Sequence, residues 1–120
     1  LNRVPGSVGN KMFKLISLSG DNIRLDEKAA GSMLTHACAR SHTRIEGIIV
    51  LKDLITVICS DDEQDLPRQY NFTQLGKDVD CEDIFAAARS RYDNNFRTVG
   101  TFQLADGYWY LTEKTINNPK

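Results

Sequence analysis

The chain has 120 residues, 41% of them apolar and 26% charged, with a formal net charge of −1. That length suits one ordinary domain, and the composition is that of a globular chain rather than a disordered one. Near-neutrality excludes a surface built as a whole to grip a polyanion, and no apolar run approaches the ~18 residues of a membrane span. The charge is uneven, however, with eight of the acids falling between Asp61 and Asp83. This stretch reads as a solvated loop. Three widely spaced cysteines (Cys38, Cys59, Cys81) argue against a disulfide framework and for a reducing, cytoplasmic compartment.

In chain order, residues 1–11 hold Pro5, Gly6, Ser7 and Gly9 without periodicity and read as a flexible lead-in, native or vector-derived. Met12 then stands as the natural start, with no apolar signal-peptide core before it. Met12 to Ser19 reads as a first strand, closed by a Gly20-Asp21-Asn22 turn. Asp26 caps a helix to about Arg40, whose buried stripe is Ala30, Met33, Leu34, Ala37 and Cys38. Gly31, beside Ala29 and Ala30, suggests close approach of that helix to a sheet.

Arg44 to Lys52 and Leu54 to Cys59 read as paired strands around Asp53, and Tyr70 to Leu75 as a short strand inside a polar segment. Asp80 caps a second helix to about Tyr92, with a stripe of Ile84, Phe85, Ala88 and Tyr92. Phe96 to Leu104 and Tyr108 to Thr115 form a hairpin about Asp106-Gly107, and residues 117–120 are a frayed tail. The expected fold is thus a single α+β domain over 12–116, in βαββ-(β)αββ order, with two helices on one face of a mainly antiparallel sheet.

Sliding residues 44–60 onto 97–113 aligns Arg44 with Arg97, Gly47 with Gly100, Leu51 with Leu104 and Asp53 with Asp106. Two readings stay open: an internal βαββ duplication, or the repetition that any alternating α+β fold shows. The first hairpin is apolar on both faces, with Ile45, Ile49, Leu51 and Ile58 on one and Ile48, Val50, Ile55 and Val57 on the other. Helices cover one side only. The other needs the Leu66 to Val79 segment, a second copy of the chain, or another molecule. Ile48, Val50, Ile55 and Val57 are the candidate interface.

Catalytic signals are thin. His36, Cys38 and His42 lie at one helix end, but about 200° separates His36 from Cys38 on the helix, so no shared metal site is expected. Cys81, in a first helical turn, is a nucleophile candidate weakened by neighbouring Asp80, Glu82 and Asp83. Arg44 and Arg97, with Tyr108 and Tyr110 on the same sheet face, are candidate ligand residues for a small anion or a nucleic-acid strand. No cofactor is called for. The expectation is a non-catalytic binding or regulatory module that contacts an unidentified protein and self-associates as a homodimer. The anion or nucleic-acid binder is the alternative.

Overall fold

The computed structural model describes residues 13–64, 66–76 and 80–116, so the expected lead-in, Met12 and the tail lie outside the described residues. Strand β1 (Phe13–Ser19) runs directly into a short helix, α1 (Gly20–Leu25), where the sequence suggests only a turn. The Ser19 hydroxyl accepts from the Asn22 amide at 3.1 Å and supplies the cap. Asp26 then caps α2 (Glu27–Ser41) by accepting from the Ala29 amide at 3.0 Å, and His42, at φ 56°, closes it in the left-handed conformation.

Strands β2 (Thr43–Leu51) and β3 (Leu54–Asp61) form the first hairpin, and the polar segment becomes a full strand, β4 (Arg68–Gly76). Helix α3 (Cys81–Asp93) opens on a reciprocal capping box between Asp80 and Asp83. Strands β5 (Phe96–Leu104) and β6 (Gly107–Thr115) follow. Among the described residues the result is a mixed α+β fold with three helices and two antiparallel three-stranded sheets rather than one, ordered β1-β3-β2 (sheet 1) and β4-β6-β5 (sheet 2).

Two local features set the registers. The second hairpin turns at Ala105-Asp106, one residue early, with Gly107 (φ 132°) already paired to Leu104. Phe102 therefore faces Trp109. Asp106 fixes this turn, its carboxylate accepting from Trp109 Nε1 at 2.9 Å and its carbonyl from Gln74 at 2.7 Å. Each hairpin also carries a bulge, between Ile45 and Gly47 in β2 and between Thr98 and Gly100 in β5. One extra residue reverses the sheet face of everything before it.

The sheets stack in one direction. Sheet 1 directs Ile55, Val57 and Cys59 towards α2, all fully buried. Helix α2 in turn lies on β4, so closely that a Cβ on Gly31 would sit 2.6 Å from the Tyr70 carbonyl oxygen. Ile48 of sheet 1 presses on Gly100 of sheet 2 in the same layer. Sheet 2 meets that layer with Tyr70, Phe72, Phe102, Leu104, Trp109 and Leu111, each 5% exposed or less. On its far side it carries Tyr108, Tyr110 and Thr112, and α3 lies on that side against β5, with Arg91 over Tyr110. The core is thus closed between the helix-bearing side of sheet 1 and the bare side of sheet 2.

Helix α3 does not bury the stripe its sequence suggests. Ile84, Ala87, Ala88 and Arg91 turn towards sheet 2, whereas Phe85 and Tyr92 are 66% and 72% exposed. The small alanines let the helix approach, and the Arg91 guanidinium sits 5.3 Å from the centre of the Tyr110 ring. No residue of α3 is fully buried.

Candidate functional site

Glu113 lies in the middle of β6 on the same face as Trp109 and Leu111, and only 2% of it reaches solvent. A carboxylate placed there must be paired. Arg44 donates to it from Nη2 at 2.6 Å, Arg97 from Nε at 3.1 Å and the Tyr70 hydroxyl at 2.7 Å. A third guanidinium, Arg68, stands 3.6 Å away and is held by Asp62, to which its Nε donates at 2.7 Å.

Burial alone would raise the Glu113 carboxyl, but the bonds from Arg44, Tyr70 and Arg97 outweigh it and hold the group below its usual range. Burial also pushes the Tyr70 hydroxyl up, with Glu113 adding to the effect, so it stays a donor. Tyr70 further accepts from the Ile45 amide at 2.9 Å, and Arg97 donates to the Ile45 carbonyl at 3.1 Å. The cluster therefore ties β2 of sheet 1 to β4, β5 and β6 of sheet 2.

The matched arginines do come together, then, but on a buried glutamate. Arg97 owes its position to the β5 bulge, which pairs it side by side with Glu113 and turns it away from Tyr108 and Tyr110. The structure does not join these four residues in one site: Tyr110 is buried beneath Arg91, and Tyr108 lies on its side of the sheet. Arg44 and Arg97 also line an open cleft of about 500 Å³ that Glu46, Ser60, Asp61, Asp62, Glu63 and Gln64 complete. Its wall is of mixed charge. Glu113 was not among the sequence candidates; the available signal was an acid in register with Trp109 and Leu111 on a central strand.

Of the expected interface residues, Ile55 and Val57 are fully buried and face α2, while Ile48 and Val50 are half-buried against the core. The apolar side of sheet 1 that meets solvent is the other one. It exposes Phe13 (63%), Leu15 (64%), Ile49 (45%), Leu51 (67%) and Leu54 (44%), with Ile58 between them. Residues 66–76 of the expected covering segment do not lie across it, because β4 sends Tyr70 and Phe72 into the core of sheet 2 instead, and residues 77–79 lie outside the described residues.

The thiols offer little chemistry. Cys38 and Cys59 are buried with their sulfurs 3.9 Å apart, and Cys38 is pushed up first by its bond to Cys59 and then by burial. Cys81 is exposed at the start of α3. His36 is exposed and Cys38 is buried, so the two diverge. Among the described residues no helix is long and apolar enough to cross a membrane, and no group of three or more His, Cys, Asp or Glu is placed to hold a metal. Comparison with known proteins finds no match to a family model, a curated protein or a solved structure.

Proposed function

We propose that this domain is a non-catalytic binding module that acts through protein contact, with the solvent side of sheet 1 as its docking surface. The observation that carries this reading is the exposure of Phe13, Leu15, Ile49, Leu51 and Leu54 on one sheet face, around the hydrogen-bonded Ser17–Thr56 pair. Single exposed apolar residues are ordinary, but several large ones gathered on one sheet face mark an interaction surface. The ionisable groups support it from the other side. The best-organised polar cluster spends its charges on joining the two sheets, and a buried, fully paired carboxylate is a poor acid or base.

The test is a photo-reactive leucine analogue at position 15 in living cells, with a matching probe at the exposed His36 as control. The expected result is a protein crosslink from position 15 that Ile49→Glu abolishes. Equal crosslinking from both positions, or none from position 15, overturns the reading.

A second reading rests on the cleft beside Arg44 and Arg97, where a guanidinium has five donors and these two commit one and two of them among the described residues. A small anion would be the ligand. Glu46, Asp61 and Glu63 on the same wall weaken that reading, and they weaken a nucleic-acid strand more. We also read the two halves as copies of one βαββ unit, on the strength of their shared strand order and matching bulges.

A further inference from the structure

The two halves correspond in strand order and in the bulges of β2 and β5, while α1 and the bulge of β4 between Gln74 and Gly76 have no counterpart among the described residues. Ile58 pairs with Leu15 in sheet 1 as Leu111 pairs with Phe72 in sheet 2, and Ile49 pairs with Thr56 as Phe102 pairs with Trp109. By these registers Phe13 and Leu15 are the counterparts of Tyr70 and Phe72. The second pair is 1% and 3% exposed; the first is 63% and 64% exposed. What covers Tyr70 and Phe72 is known: the helix-bearing side of the first half, with Gly31 of α2 on the Tyr70 backbone and Ile48 against Gly100.

The helices correspond as well. Their caps, Asp26 and Asp80, set an offset of 54 residues, which carries Gly31 and Cys38 of α2 onto Phe85 and Tyr92 of α3. Gly31 is buried against Tyr70 of sheet 2 and Cys38 against Cys59 of sheet 1, whereas Phe85 and Tyr92 stand out on the exposed face of α3. Each half thus has a helix-bearing side and a bare apolar side, stacked one onto the other. The stack ends in one unused surface of each kind. The ends differ from the internal joint, since Phe85 projects where Gly31 lets backbones touch, Thr101 stands where Ile48 does, and Phe13 and Ser60 stand where Tyr70 and Glu113 do. Gly47 leaves room on the receiving face, where an added Cβ would meet only Ile58 Cδ1 at 3.7 Å.

We propose that copies of this chain dock head to tail, with the Phe85–Tyr92 face of α3 on one molecule seated on the Phe13–Leu15 side of sheet 1 of the next. The occupant is a second copy because the internal joint is already a docking of these same two kinds of surface. Such a contact is heterologous, so it leaves both kinds of end available again and closes only if the rotation per copy allows a ring. This inference names the partner for the docking surface proposed above and rests on that reading.

The test uses the purified full chain alone, by native mass spectrometry and sedimentation from about 1 to 500 µM, a range that spans weak to moderate affinities. Wild type is expected to associate with rising concentration. Leu15→Glu and Phe85→Glu, both at exposed positions and checked for folding by Trp109 fluorescence, are each expected to raise the association midpoint at least tenfold. Mixed one to one, they are expected to form a dimer and nothing larger, because each retains the end the other lacks. If Phe85→Glu associates like wild type while Leu15→Glu does not, the copies meet sheet face to sheet face and the head-to-tail contact is overturned. A mixture that stays monomeric overturns it too. A wild type that is monomeric throughout overturns self-association, and the docking surface then stands or falls on the position-15 crosslink alone.

Discussion

Glu113 is the residue on which the joint between the two sheets turns. Its carboxylate is desolvated, and three arginines and a tyrosine hydroxyl surround it, so replacing it leaves buried positive charge without its partner. Glu113→Gln, which keeps the shape, is expected to cost about 3 kcal/mol at pH 7, or about 12 °C in Tm for a domain of this size. The sign with pH follows from its lowered pKa. A carboxyl held lower in the folded state contributes its stability above the unfolded value of about 4.3, and loses it as pH falls through the folded value. Urea titrations followed by Trp109 fluorescence are therefore expected to show the two proteins diverging at pH 7 and converging towards pH 2; an undiminished gap in acid would contradict this. Gly31 is the second such residue. Alanine is about 1 kcal/mol better in a helix interior, yet its Cβ would meet the Tyr70 carbonyl oxygen at 2.6 Å. Gly31→Ala is expected to destabilise by about 2 kcal/mol in the same titration, as overpacking against backbone does. A gain in stability would show that α2 can lift off β4 at no cost.

The helices differ as elements although their sequences have similar caps. Helix α2 is gripped from two sides, by sheet 1 and by β4, and buries Ala30, Gly31, Leu34, Ala37 and Cys38. Helix α3 touches sheet 2 on one side through half-buried Ile84, Ala87, Ala88 and Arg91 and relies on its ends for the rest. A thirteen-residue helix is marginal in water on its own, so the Asp80–Asp83 box carries much of its stability. Removing it with Asp80→Ala is expected to cost α3 about 1 kcal/mol, speeding its amide exchange roughly fivefold while leaving α2 unchanged. Exchange should be measured in dilute protein, where a second copy cannot cover the helix. Protection in α3 equal to that in α2 would refute this account of its support.

At the scale of the molecule, the two sheets are stacked front to back, with α2 between them and α3 on the outer side of sheet 2. The contacts that hold them include α2 on β4, Ile48 on Gly100, the Asp62–Arg68 pair, and the arginines and tyrosine around Glu113. A front-to-back stack has unlike ends, whereas a symmetric pairing of halves would hide both apolar sides at once. That asymmetry leaves the solvent side of sheet 1 bare, and in the proposed contact a second copy meets it through α3. It also gives the concentration series and the mixed variants their force, since only unlike ends can complement each other.

The spans of the two long helices and of all six strands follow closely from local signals: the carboxylate caps at Asp26 and Asp80, alternation along β5 and β6, and the turn chemistry at Asp106. Such features are decided within a few residues, and a sequence displays them. The offset of 53 that aligns Arg44 with Arg97 was equally legible, and these two residues do meet. Their shared target was not, because Glu113 lies 69 residues from Arg44 in the chain. Nor was the sheet face of Arg97, which one bulged residue reverses, nor the rotation that turns Phe85 and Tyr92 outward. Ile55 and Val57 alternate with equally apolar neighbours, so the sequence alone allows either side of sheet 1 to be the buried one. Only the packing of α2 and of sheet 2 decides it, because burial depends on what a distant segment brings, and alternation records only that two sides exist.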